Sequence, residues 1–171
     1  MPRSPIQDQL SRVRPVWEAF LPDWRQVALA SRLRVARNLA GSAFPLKASA
    51  EELERVAEVL GRRVHGCSAL RGGPRGRIDR LKPLERELLA ERRLISPELA
   101  RGGPGRSFAA GRTHHLVAMV NEDDHLRLHA ILPGLALSRA WTMVSAALAQ
   151  LGDGSDFAFD TRLGFLTSSP A

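Results

Sequence analysis

In the stretch SRLRVAR, residues 31–37, two arginines stand two positions apart, and in NEDDHLR, residues 121–127, three consecutive acids precede a histidine and an arginine. On a β-strand Arg32 and Arg34 share one face, roughly 7 Å apart, a spacing that suits clamping successive phosphates. The second group poses an electrostatic question, because Glu122, Asp123 and Asp124 repel one another unless cations, hydrogen-bond donors or a metal offset them. A carboxylate there can orient a guanidinium or take its proton, and Arg127 can meet a phosphate. Each group also has a plainer reading. Arg32 and Arg34 would serve as a charged strand edge that discourages pairing, and NEDDHLR as a polar turn between two strands.

The elements that position these groups can be read from periodicity. Residues 27–40 alternate in part, with Val27, Leu29, Leu33 and Val35 on the face opposite Arg32 and Arg34; this favours a strand, although a helix also fits by count. The apolar run Leu116–Val120 reads as a buried strand leading into the acids. Ser49 followed by Glu52 matches a capping box, and Leu53, Val56, Val59 and Leu60 continue at helical spacing, so a helix is predicted over 49–63. KPLERELLAERR, residues 82–93, predicts a second helix with Pro83 in its first turn. Residues 135–151 predict a third, apolar enough to be buried on most sides. RGGPRGRIDR (71–80) and RGGPGRS (101–107) read as loops, and Pro133-Gly134 as a turn. Residues 157–159 and 164–167 suggest a short strand and its successor, and Trp17, Phe20, Leu21 and Trp24 one face of a short helix broken at Pro22.

Composition bounds the partners. The 171 residues suffice for one domain with a real core, and a hydrophobic share of 44% with 25% charged residues is ordinary for a globular protein. No stretch approaches the roughly 20 apolar residues of a membrane span, and the N-terminus lacks a signal-peptide core, so a cytoplasmic protein without a membrane partner is the simplest expectation. Cys67 is the one cysteine, which excludes an intramolecular disulfide. Net charge is +7 with a pI near 11.2, and only Lys47 and Lys82 are lysines. An arginine excess suits a polyanionic partner, and a GC-rich genome would produce the same excess. Nucleic acid is a poor candidate, for there is no tyrosine and aromatics make up 5%. GxxxxGK[ST] and GxGxxG are both absent, which removes the P-loop and Rossmann routes to nucleotide. No metal site is expected: His114 and His115 are adjacent rather than four apart, and His125 and the acids lack ligand spacing.

Four segments in order, SRLRVARNLAGSAFP (31–45), ERRLISPELA (91–100), VNEDDHLRL (120–128) and DFAFDTRLGFLTSSPA (156–171), resemble the ATP:guanido phosphotransferases, or phosphagen kinases. The ISPEL segment and the short N-terminal region are most similar to the bacterial protein-arginine kinase branch. The resemblance implies an α+β fold, an antiparallel β-sheet flanked by helices, with residues 1–26 as a lead-in segment and 27–171 as a catalytic domain incomplete at its C-terminus. It implies γ-phosphoryl transfer from ATP with Mg2+ to a guanidinium, most simply an arginine in a protein or a small guanidino compound. By the same resemblance Ser31, Arg32, Arg34 and Arg127 bind ATP. Asp123, with Glu122 beside it, is the catalytic carboxylate that positions and deprotonates the acceptor; no protein metal ligand is implied.

The chain departs from the family pattern at several points. Ala30 replaces the first serine of a pair, Arg93 stands where many members have histidine, and Ser169 stands at a reactive-cysteine position. Asp123 replaces a glutamate, and a catalytic group misplaced by about 1 Å can lose about a hundredfold in rate. The sequence ends before the family's NxGTGxR stretch, so part of the phosphate clamp and several strands are expected to be missing. An incomplete sheet exposes an edge suited to self-association or a protein partner. Two functional classes therefore follow: a guanidino kinase, or a catalytically dead relative that binds nucleotide or a partner.

Overall fold

The computed structural model describes residues 4–16, 18 and 28–169. The helix expected from Trp17, Phe20, Leu21 and Trp24 lies outside these residues, as does Val27. In order, the elements are α1 (Pro5–Ser11), β1 (Ala30–Arg37), α2 (Ala50–Gly66), β2 (Gly72–Arg77), α3 (Pro83–Glu91), α4 (Pro97–Ala100), β3 (Ser107–Gly111), β4 (Leu116–Val120), β5 (Leu126–Pro133), α5 (Leu137–Leu151), β6 (Phe159–Asp160) and β7 (Gly164–Phe165). Five strands form one sheet in the order β1-β5-β4-β3-β2, every pairing antiparallel, and β6-β7 form a small hairpin. The fold is the α+β arrangement expected, an antiparallel sheet flanked by helices.

Alternation along the strands divides the core in two. Leu116, Ala118 and Val120 of β4 and Leu126, Leu128, Ala130 and Leu132 of β5 face one side, where α2 and α5 cover them with Val56, Leu60, Val64, Val144 and Leu151. Val117 and Met119, with Phe108 and Ala110 of β3, face the other side and meet Leu10 of α1, Leu89 of α3 and Leu99 of α4. α2 begins as its sequence dictates: the Ser49 hydroxyl accepts from the Glu52 N–H, and Glu52 accepts from the Ser49 N–H. The helix runs on to Gly66, one turn past the expected end.

Three expectations need correction. Residues 72–77, read as a loop, form the edge strand β2. Its pairing with β3 is carried by backbone with a register shift between Gly72 and Arg75, so apolar alternation could not announce it. Gly73 is obligatory there, since a Cβ would lie 2.3 Å from the Gly111 carbonyl oxygen. β3 itself, SFAAG, starts at the end of the second expected loop and is too short and small-sided to show a period. Finally, α5 is buried along one stripe only, Ala140, Val144, Ala147 and Leu151, and its outer face is exposed, with Trp141 58% accessible.

Candidate active site

β1 carries Ser31, Leu33 and Val35 towards the α2–α5 side and Arg32, Arg34 and Ala36 towards the other. Register sets what lies beside them: Arg32 is opposite Ile131, Arg34 opposite His129 and Ala36 opposite Arg127. On the far side of β5, Arg127 pairs with Met119 and His129 with Val117. Helices α1, α3 and α4 pack over β3 and β4, and Arg32 and Arg34 stay exposed on β1. Arg32, Arg34, His129 and Arg127 thus form one polar strip beside a covered apolar one.

The strip is cationic and unneutralised. Among the described residues Arg32, Arg34 and Arg93 make no ion pair. Burial lowers the pKa of Arg32, and Arg34 and Arg93 lower it further. Arg93 reaches this neighbourhood from the end of α3, where its φ of 58° turns the chain. His129 is 1% exposed, and neither ring nitrogen has a hydrogen bond of good geometry, the nearest backbone partner being that of Arg93. Burial, and then Arg32, push its pKa down to about 3, so it is neutral at pH 7. A convergence of unpaired cations around a neutral ring has no stabilising purpose of its own; the donor set fits an oxygen-rich polyanion.

The acidic segment is a tight connection from β4 to β5, in which the Asn121 N–H donates to the His125 carbonyl at 3.0 Å. A solvated turn would expose its acids, yet Glu122 and Asp124 are each 2% exposed. Arg127 offsets them. Its guanidinium contacts the Glu122 carboxylate directly, lies 3.2 Å from Asp123 Oδ2 and 3.8 Å from Asp124 Oδ2. Burial, Arg34 and Arg32 push the Arg127 pKa down to about 10, and it remains a cation at neutral pH. Asn38 clamps the loop from the end of β1: its amide donates to Asp124 Oδ1 at 2.7 Å, and its carbonyl accepts from the His125 N–H at 2.8 Å. Ser168 N–H donates to the same Asp124 oxygen at 2.8 Å, and its hydroxyl donates to the Asp123 carbonyl at 2.6 Å. Asn121, at φ 55°, donates to the Leu53 carbonyl at 2.7 Å. The loop is held from every side, and Asp123, whose carboxylate accepts from Arg127, is the acid that keeps solvent access, its side chain 44% exposed.

Arg32, Arg34, Arg127, Glu122 and Asp123 are therefore brought together around the start of β5 and the neighbouring edge of β1. Ser31 is not with them. It lies on the opposite face, where its hydroxyl donates to the Gly134 carbonyl and accepts from the Ala136 N–H, both at 2.8 Å. His129 and Asn38 escaped the sequence reading. Strand alternation from Arg127 was the available signal for His129; nothing local marks Asn38 as a clamp, since its partners are more than 80 positions away. Among the described residues no group of three or more His, Cys, Asp or Glu is placed to hold a metal ion.

The antiparallel sheet thus presents arginines without ion pairs among the described residues next to a clamped carboxylate loop. In comparison with known proteins, residues 66–171 match the ATP:guanido phosphotransferase, C-terminal catalytic domain, and the chain belongs to that family. It is 36% identical over 147 residues to a protein-arginine kinase of Moorella thermoacetica, covering 84% of this chain and 42% of that protein. With a protein-arginine kinase of Halothermothrix orenii it shares 33% identity over 168 residues, covering 96% of this chain and 47% of that one. The chain thus spans less than half the length of these relatives. In fold it is similar to the substrate-free duplicated taurocyamine kinase from Schistosoma mansoni, with a TM-score of 0.76, 20% identity and coverage of 99% of this chain and 25% of that one. Lombricine kinase is also similar, with a TM-score of 0.71, 18% identity and coverage of 94% and 47%. No helix among the described residues is long and apolar enough to cross a membrane.

Proposed function

We propose that this chain supplies the nucleotide-phosphate platform and the acceptor-facing carboxylate for phosphoryl transfer from ATP to a guanidinium nitrogen, with arginine in proteins as the acceptor. The observation that carries this reading is the division of labour around the start of β5: Arg32 and Arg34 are cations without carboxylate partners among the described residues, and Asp123 is the one acid of its loop that reaches solvent. A guanidinium is protonated at neutral pH and nucleophilically poor, so the reaction depends on alignment and on a base that accepts a proton late. Asp123 orients the acceptor by hydrogen bonds to its N–H groups. The acceptor nitrogen forms a bond to the γ-phosphorus as the bond to the bridging oxygen breaks; ADP departs with that bond's electron pair, and the nitrogen's proton passes to Asp123 and on to water. Arg32 and Arg34 hold the phosphates in line and disperse charge that builds in the transition state. Glu122, sealed against Arg127, keeps that guanidinium aimed towards the strip. Magnesium would enter with the nucleotide rather than on protein ligands, since the side chains of the strip are cationic, and would supply charge neutralisation. Ser31 fixes the β1–α5 junction beneath the platform.

The test is transfer of labelled γ-phosphate from Mg-ATP to an arginine-rich polypeptide. The expected result is an acid-labile phosphoramidate product that disappears with Asp123→Asn and is raised by Asp123→Glu, which adds the missing methylene. No product, or product indifferent to both substitutions, would overturn the reading.

A further inference from the structure

A strip that holds phosphate has two needs that oppose each other. Its arginines must keep their charge, and they must also be aimed, because a long side chain that is free beforehand loses rotamer freedom when a ligand fixes it. A carboxylate beside a guanidinium aims it and cancels its charge; Glu122, Asp123 and Asp124 hold Arg127 in that way. Arg32 and Arg34 have no ion-pair partner among the described residues, so a group of another kind has to aim them.

His129 is placed to do so. Register puts it directly across from Arg34, and it lies two positions from Arg127 on the same face of β5. Its neighbour on the other side is Val117 of β4. The ring is buried, and neither nitrogen has a hydrogen bond of good geometry. A polar ring left in that state costs stability that an apolar residue would not, so its presence calls for a reason. The groups that bear on it are Arg32 and Arg34 from β1, Arg127 from its own strand and the Arg93 backbone from the end of α3; no carboxylate is among them. Kept neutral by burial and by these cations, the imidazole carries one N–H and one lone pair. The Arg93 backbone favours the protonated ring, which identifies its carbonyl as the acceptor for the N–H. The second nitrogen is left as an acceptor, and the donors around it are guanidinium groups.

We infer that His129 is the positioning residue of the strip: its ring accepts a hydrogen bond from the Arg34 guanidinium when phosphate is seated, aims that side chain, and leaves its charge to the ligand. The inference rests on the phosphate-holding role proposed for Arg32 and Arg34, and adds the means by which an unpaired arginine is oriented. It accounts for a polar ring kept without a good partner in the free chain: the partner arrives with the ligand. It also accounts for the residue type, since an acid at this position would orient Arg34 and neutralise it, and an apolar residue would do neither.

The experiment is calorimetric titration of Mg-ADP into the full chain and into His129→Gln, His129→Leu and His129→Glu, each followed by urea unfolding. His129→Gln keeps a neutral acceptor and should bind within about threefold of the parent. His129→Leu removes the acceptor and should bind about fivefold to tenfold more weakly, with stability unchanged or raised. His129→Glu brings a carboxylate to the arginines and should bind at least about fiftyfold more weakly. Affinity that falls while stability holds or rises, with rescue by Gln, is a pattern that a merely structural ring would not produce. Should His129→Glu fail to fold, the Leu and Gln variants decide the matter between them. His129→Leu binding as tightly as the parent, or His129→Gln as weakly as His129→Leu, would overturn the inference and leave the phosphate platform standing. No binding by the folded parent chain would overturn both.

Discussion

The acidic loop and the arginine strip sit side by side and are built on opposite principles. In the loop the charges answer one another: Arg127 contacts three carboxylates, Asn38 and Ser168 share Asp124, and the Asn121 amide is tied to α2, although Asn121 Oδ1 and Arg127 Nε are buried without a partner. In the strip, Arg32, Arg34 and Arg93 have no ion-pair partner among the described residues, and His129 is buried without a hydrogen bond of good geometry. Satisfied groups fix a geometry; unsatisfied cations hold electrostatic energy that a ligand can release. The loop is therefore a fixed scaffold with one half-exposed carboxylate, Asp123, and the strip is the less neutralised surface beside it.

That contrast can be broken by mutation. The largest effect is expected at Arg127. Replacing it by Ala leaves Glu122 and Asp124 buried and uncompensated, and should destabilise the chain by about 3–5 kcal/mol in urea unfolding. A stability change under about 1 kcal/mol would show that the loop is not held by this pair. Loss of nucleotide binding in that variant says little, because the scaffold goes with it. Next comes Asn38→Ala, which removes a donor from Asp124 and an acceptor from His125; about 1–3 kcal/mol of stability should be lost.

Proton linkage tests the strip at smaller scale. The His129 pKa lies near 3 in the folded chain against about 6.5 unfolded. The unfolded state therefore binds the extra proton between these values, and stability falls as pH drops from about 6.5 towards 3, by up to about 1.4 kcal/mol per pH unit. Above pH 6.5 the effect vanishes. His129→Leu should make the acid limb shallower by up to one proton; an unchanged slope would mean that the ring is not buried neutral among the arginines.

Much of this layout was legible in the sequence. Alternation placed Arg32 and Arg34 on one face and Leu33 and Val35 on the other, and the Ser49–Glu52 box located the start of α2. Chemistry that depends on long-range partners was not legible. The acids of NEDDHLR were expected to face an external cation, whereas Arg127 contacts all three of them, and the clamp on Asp124 comes from Asn38 and Ser168, more than 40 positions away. β2 was hidden because its ladder is made by backbone and by glycines that let β3 approach, a feature with no hydrophobic period. The apolar composition of α5 suggested burial on most sides, and only the fold shows that half of it faces outward.

The central claim is that the unpaired arginines on β1 hold nucleotide phosphate. The most direct measurement is calorimetric titration of Mg-ADP into the chain and into the Arg32→Ala, Arg34→Ala double variant, with urea unfolding of both. Each lost charge-assisted contact is worth about 1.5–3 kcal/mol, so the double variant should bind at least a hundredfold more weakly with its stability unchanged or slightly raised, since two mutually repelling cations are gone. Equal affinity in the two proteins, or no binding by the folded chain at millimolar nucleotide, would contradict the account.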